Sequence, residues 1–114
     1  MRKTDKKIDN QLRLSLTDVC ETALKDISGF QWLTHLVDYT NFPASLIIVC
    51  VFDTNQNLAK FLAHASKSQL TSLIQVELLR VNVKLKNITE HVVYDTHENC
   101  DKEQAGNWAL RLGS

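Results

Sequence analysis

Residues Ser45 to Phe52 read Ser-Leu-Ile-Ile-Val-Cys-Val-Phe, apolar at every position after the first. A strand with one wet face alternates polar and apolar residues; a continuous run of this length leaves no face for water. The segment therefore reads as a central strand buried on both sides, which requires covering layers above and below it. The run is also far too short to cross a membrane. Asp53-Thr54-Asn55 ends it and provides side chains that can cap a following helix.

The elements around this strand follow from periodicity. Ile8, Leu12, Leu16, Val19, Cys20, Ala23, Leu24 and Ile27 recur every three or four residues, which predicts a long amphipathic helix over 5–27, stopped by Ser28-Gly29. Phe30 to Tyr39 mixes aromatic and β-branched residues with polar ones, as on a half-exposed strand. Thr40-Asn41-Phe42-Pro43 is a turn, and its shortness makes the two strands an antiparallel hairpin. A short helix to His64 and a longer one from Ser66 to about Val83 come next, then a loop at Asn87 to Glu90. His91 to Tyr94 reads as a third strand and Glu98 to Gln104 as a helix stopped by Gly106. Trp108, Leu110 and Leu112 alternate, as in an extended tail. The fold class is α+β with an α/β-like half: a small three-stranded mixed sheet in α-β-β-α-α-β-α order, with the long N-terminal helix packed on it. Strand two, the helices and strand three make a right-handed βαβ unit with parallel strands.

At 114 residues the chain has the size of one domain, taken as residues 1–114 with 1–5 flexible. It is 44% hydrophobic and 23% charged, with net charge zero. That balance disfavours a dedicated nucleic-acid binder, whose affinity comes from neutralising phosphates. Two local basic stretches remain candidates for such contacts: Arg2, Lys3, Lys6 and Lys7, and a second ending in Lys84 and Lys86. Cys20, Cys50 and Cys100 are odd in number and far apart, so they suggest no disulfide framework and fit a reducing, cytoplasmic setting. The N-terminus has charge without an apolar stretch behind it, unlike a secretory signal. Without secretion, the acceptor triplet Asn87-Ile88-Thr89 carries no meaning.

One pattern occurs twice. Val51-Phe52-Asp53-Thr54 and Val93-Tyr94-Asp95-Thr96 each run from an apolar strand end into Asp-Thr and a helix start. Asp and Thr at a helix N-terminus are explained by capping and by the helix dipole. If the strands are parallel, the two carboxylates leave the sheet at one edge, the position of ligand sites in open α/β sheets. Asp53 and Asp95 are thus candidates for a shared Mg²⁺ or an acid–base pair. Asp38 falls at the opposite edge, which argues against a nuclease-type pairing with Asp53. His97 and Cys100, three apart on a helix, are candidate zinc ligands or a nucleophile pair with His91 nearby, but they lack the further ligands or third group these roles require. They read as surface residues, as do His35 and His64. Cys20 and Cys50 read as packing residues, and Trp32 and Trp108 as core anchors.

Gly29 to Val37, Phe42-Pro43, Val49 to Asn55 and Gly106-Asn107-Trp108 together resemble a group of short uncharacterised gammaproteobacterial proteins, over most of the chain. Some of these are labelled Fis-type transcriptional regulators. That label implies an all-helical dimer ending in a basic helix-turn-helix, whereas the middle of this chain reads as strands and its last twenty residues are acidic to neutral. No motif fixes a reaction or calls for a cofactor. The expected role is a small non-enzymatic binding or regulatory domain working through contacts with a protein partner or with a second copy of itself. The alternatives are nucleic-acid association through the basic segments and a metal-assisted hydrolase using Asp53 and Asp95.

Overall fold

A computed structural model describes residues 2–113. Helix α1 (Lys3–Asp26) leads into strands β1 (Phe30–Leu36) and β2 (Ile47–Phe52). Helices α2 (Asn55–Leu62) and α3 (Ser66–Arg80) cross over to β3 (Val92–Thr96), followed by α4 (His97–Gln104) and α5 (Trp108–Arg111). Of the expected flexible start, Met1 lies outside the described residues, and α1 is already helical at Lys3.

The sheet has the order β1-β2-β3, with β1 antiparallel and β3 parallel to the central β2. Five of the six β2 residues are buried, as an uninterrupted apolar run demands. Ile48, Cys50 and Phe52 point to one face and form the core with Leu12, Leu16 and Val19 of α1 and Leu70, Ile74 and Leu78 of α3. The ends of α1 and the beginning of α3 meet around a small cavity lined by Ala23, Ile27, Ser66 and Leu70, so the two helices run antiparallel. Val49 and Val51 point to the other face. There the C-terminal segment covers the sheet, with the Trp32 and Trp108 rings 4.9 Å apart.

Several boundaries differ from expectation, each for a local reason. Strand β1 ends at Leu36, because the Asp38 carboxylate accepts from the Thr40 amide at 3.0 Å and its hydroxyl at 2.7 Å, winding Tyr39–Asn41 into a 3-10 turn. Helix α3 stops at Arg80, and Asn82 takes a left-handed φ of 64°. Ile88–His91 forms a 3-10 turn, delaying β3 to Val92. The tail expected to be extended is instead helix α5: the Asn107 side chain accepts from the Leu110 amide at 3.0 Å, a cap hidden behind the alternation of Trp108, Leu110 and Leu112. Cys100, expected at the surface, is fully buried on the inner side of α4. His35 is also drawn inward, its side chain only 13% exposed.

Gly29, which follows α1, has a positive φ of 84°, and a Cβ there would lie 2.7 Å from the Asn57 Cβ and 2.8 Å from an Asp53 carboxylate oxygen. Only glycine lets the chain turn from α1 into β1 this close to the end of β2.

Candidate functional site

The two Asp-Thr turns stand side by side at the C-terminal edge of the parallel pair, since Val51 is registered with Asp95 and Phe52 with Thr96. Both threonines cap helices: Thr54 accepts from the Asn57 amide at 3.1 Å and Thr96 from the Asn99 amide at 3.0 Å. The turns are also tied to each other. The Asn55 side chain accepts the Thr96 hydroxyl proton at 2.6 Å and donates to Asn99 Oδ1 at 2.7 Å, while the Asn55 amide donates to Glu98 Oε1 at 2.9 Å. A backbone bond from the Glu98 amide to the Asp53 carbonyl closes the join at 3.2 Å.

Each aspartate carboxylate has partners of its own. Asp53 accepts from the Thr54 amide at 2.7 Å and from Asn57 Nδ2 at 3.0 Å. The Asn57 amide group foremost holds the Asp53 carboxyl below its ordinary range. Asp95 accepts from the Thr96 amide at 2.8 Å and takes a two-pronged ion pair from Arg111, Nε to Oδ2 at 2.5 Å and Nη2 to Oδ1 at 2.9 Å. Arg111 also reaches Glu103 at 2.6 Å and Gln104 at 2.7 Å; its bonds to Asp95 foremost, and then to Glu103, raise the guanidinium above its ordinary value. Among the described residues, no group of three or more His, Cys, Asp and Glu side chains is placed to hold a metal ion.

His97, the first residue of α4, lies between two indoles. Trp32 Nε1 points at its Nε2 at 3.0 Å and Trp108 Nε1 at its Nδ1 at 3.2 Å. A neutral imidazole has one lone-pair nitrogen and one N–H, so only one indole can donate at a time. His97 thus clamps the C-terminal segment onto β1, three residues from the buried Cys100. His91 faces away from both, 2.7 Å from the Leu46 carbonyl. Burial pushes the Cys50 thiol up to about 12, which removes it as a nucleophile. Arg2, Lys3, Lys6, Lys7, Lys84 and Lys86 are all exposed. The antiparallel packing of α1 and α3 brings the start of α1, with Arg2 to Lys7, and the end of α3, which leads into Lys84 and Lys86, toward one end of the molecule.

A further concavity lies elsewhere. A groove of about 930 Å³ follows the outer edge of β1, walled by α1 residues Asp9, Arg13, Thr17 and Cys20 on one side and by Leu112 on the other. Inside it the Asp9 carboxylate accepts from the Tyr39 hydroxyl at 2.7 Å, faces His35 Nε2 at 3.1 Å and pairs with Arg13 Nε at 3.0 Å. The Tyr39 bond leads the effects that hold the Asp9 carboxyl low, and burial together with Asp9 raises the Tyr39 phenol. No hydrogen bond joins the Cys20 thiol to His35, and the Tyr39 hydroxyl donates to Asp9 rather than to His35.

The floor of this groove is unpaired backbone. The Asp53 amide donates to the Gly29 carbonyl at 2.9 Å, which fixes the alternation along β2. Residues 51, 49 and 47 turn their peptide groups to β1, where they meet Trp32, Thr34 and Leu36. The peptide groups of Leu33 and His35 consequently point outward, and no described residue bonds to them. The strand is also undefended: Phe30 to Leu36 contains neither proline nor a Lys, Arg, Asp or Glu, the usual means of blunting an edge.

The chain matches no protein-family model, no curated protein and no solved structure. Asp9, Tyr39 and Arg111 had no signal as sites in the sequence. His35 did carry one: it shares strand parity with Leu33 and Val37, which places all three on the face turned to α1.

Proposed function

We propose that this protein is a small binding module that works through protein contacts, and that its contact surface is the outer edge of β1. The outward, unbonded peptide groups of Leu33 and His35 at the floor of the groove carry this reading. Main-chain groups on an edge strand form a ready template for another strand, and flanking pockets then select side chains. The Asp9–His35–Tyr39 network suits such a site by stiffening the wall between α1 and β1. The engagement of the Tyr39 hydroxyl with Asp9, and of Asp53 and Asp95 with their own turns and Arg111, weighs toward binding over hydrolysis.

A display library of random extended peptides tests the reading. Selected peptides are expected to shift the amide resonances of Leu33 and His35 and to leave those at the Asp53 and Asp95 turns in place. Peptides that bind while shifting only residues outside the groove would contradict it.

One observation favours a second reading, association with nucleic acid: Arg2, Lys3, Lys6, Lys7, Lys84 and Lys86 lie toward one end. A phosphate-dominated contact loses affinity steeply as salt rises. Labelled DNA and RNA that show no shift at low salt would remove it.

A further inference from the structure

We infer that the strand received by the β1 edge is β1 of a second copy, joined antiparallel about a two-fold axis beside Thr34, so that two three-stranded sheets continue as one of six strands. This inference rests on the reading of the β1 edge as the contact surface and names its occupant. Three observations converge on a second copy.

The backbone is self-complementary. The outward peptide groups belong to Leu33 and His35, one residue to either side of Thr34. Antiparallel pairing of two identical edges about Thr34 sets Leu33 of each copy opposite His35 of the other, and each such pair exchanges both of its N–H···O bonds.

The charges of α1 are self-complementary about Thr17, which the inferred pairing sets beside the same two-fold axis. Helix α1 runs beside β1 along the groove, and Arg13 and Glu21 lie four residues to either side of Thr17. A two-fold axis makes the two α1 helices neighbours of opposite direction, with Arg13 of each facing Glu21 of the other. Glu21 makes no ion pair within the described residues, and Arg13 is 72% exposed, held only by Asp9. A foreign strand has no built-in reason to present the opposite charge at both ends of the groove; a second copy does.

Apolar surface on the same side of α1 has no cover within one chain. Leu24, one helical turn beyond Cys20, is 52% exposed. An antiparallel copy of α1 would lie across it.

The test combines mass and charge reversal on the full chain. Light scattering across a concentration series is expected to show a species of twice 13.0 kDa. Glu21→Arg and Arg13→Glu each replace two ion pairs with two like-charge pairs and are expected to weaken the dimer about tenfold. The double variant R13E/E21R restores the attraction and is expected to recover most of the loss. Far-UV circular dichroism checks that each variant folds, and Thr17→Arg, which sets two arginines on the axis, is a second disruptor. A monomer at every concentration overturns the inference, and so does a dimer that ignores the single reversals or is not rescued by the double one. Should the chain stay monomeric while an extended peptide shifts the Leu33 and His35 amides, the edge remains the contact surface and only its occupant is wrong. Should neither occur, both readings fall.

Discussion

The Thr96 hydroxyl donates to Asn55 Oδ1 across 2.6 Å, joining the first turn of α4 to the first turn of α2 although 41 residues separate them. Thr96 is fully buried and also caps the Asn99 amide, whereas its counterpart Thr54 is exposed and caps Asn57 alone. Thr96→Val keeps the shape but leaves the Asn55 carbonyl and the Asn99 amide without their partner. It is expected to cost about 2–3 kcal/mol, against about 1 kcal/mol for Thr54→Ala. Urea titration of both variants checks the ranking; equal losses would mean that the link between the turns contributes nothing.

Arg111 holds the C-terminal segment on the sheet through its fork onto Asp95. A lysine cannot reproduce that fork. Arg111→Lys and Arg111→Ala are expected to loosen α5 and so uncover Trp108, whose ring packs on Trp32 and His97. The readouts are a red shift in tryptophan emission and a weaker near-ultraviolet dichroism, with the far-ultraviolet spectrum nearly unchanged. An unchanged near-ultraviolet spectrum for Arg111→Ala would show that the clamp at His97 suffices alone.

Asp9 provides the pH dependence of the groove. Its folded-state pKa lies below the unfolded value, so its contribution is present in full above the ordinary aspartate range near pH 4. It is lost as pH falls through the lower folded value. Acid titration of stability is therefore expected to be shallower for Asp9→Asn than for the parent chain below about pH 4. Identical slopes would remove Asp9 from the list of groups that carry acid sensitivity.

Gly29→Ala is expected to destabilise the fold by about 2 kcal/mol or more, combining a disfavoured φ with a Cβ that collides with Asn57 and Asp53. The damage should reach the α2 cap, read as faster amide exchange at Asn57. A neutral substitution would contradict the close approach of the α1–β1 turn to the end of β2.

The sheet was legible in the residues because its signals are local and redundant. The apolar run ending at Phe52, the repeated Asp-Thr and the stripe on α1 each name an element without reference to the others, and together they order the strands. Contacts between distant segments were not legible. Asp9 and His35 are 26 residues apart and meet only because β1 returns beside the start of α1. Arg111 reaches Asp95 only because Asn107 winds the tail into a helix, and an alternating Trp-Ala-Leu-Arg-Leu pattern conceals that turn. The edge groove was invisible for a related reason: which strand lies outermost, and what covers it, is a property of the assembled sheet.

Residue-resolved amide exchange over a concentration series reaches the β1 edge most directly. Thr34 and Leu36, already bonded to β2, should be protected at every concentration. Leu33 and His35 should exchange freely when dilute and become protected as the molecular mass doubles. If the mass doubles while Leu33 and His35 continue to exchange freely, the β1 edge is not where this protein meets its partner.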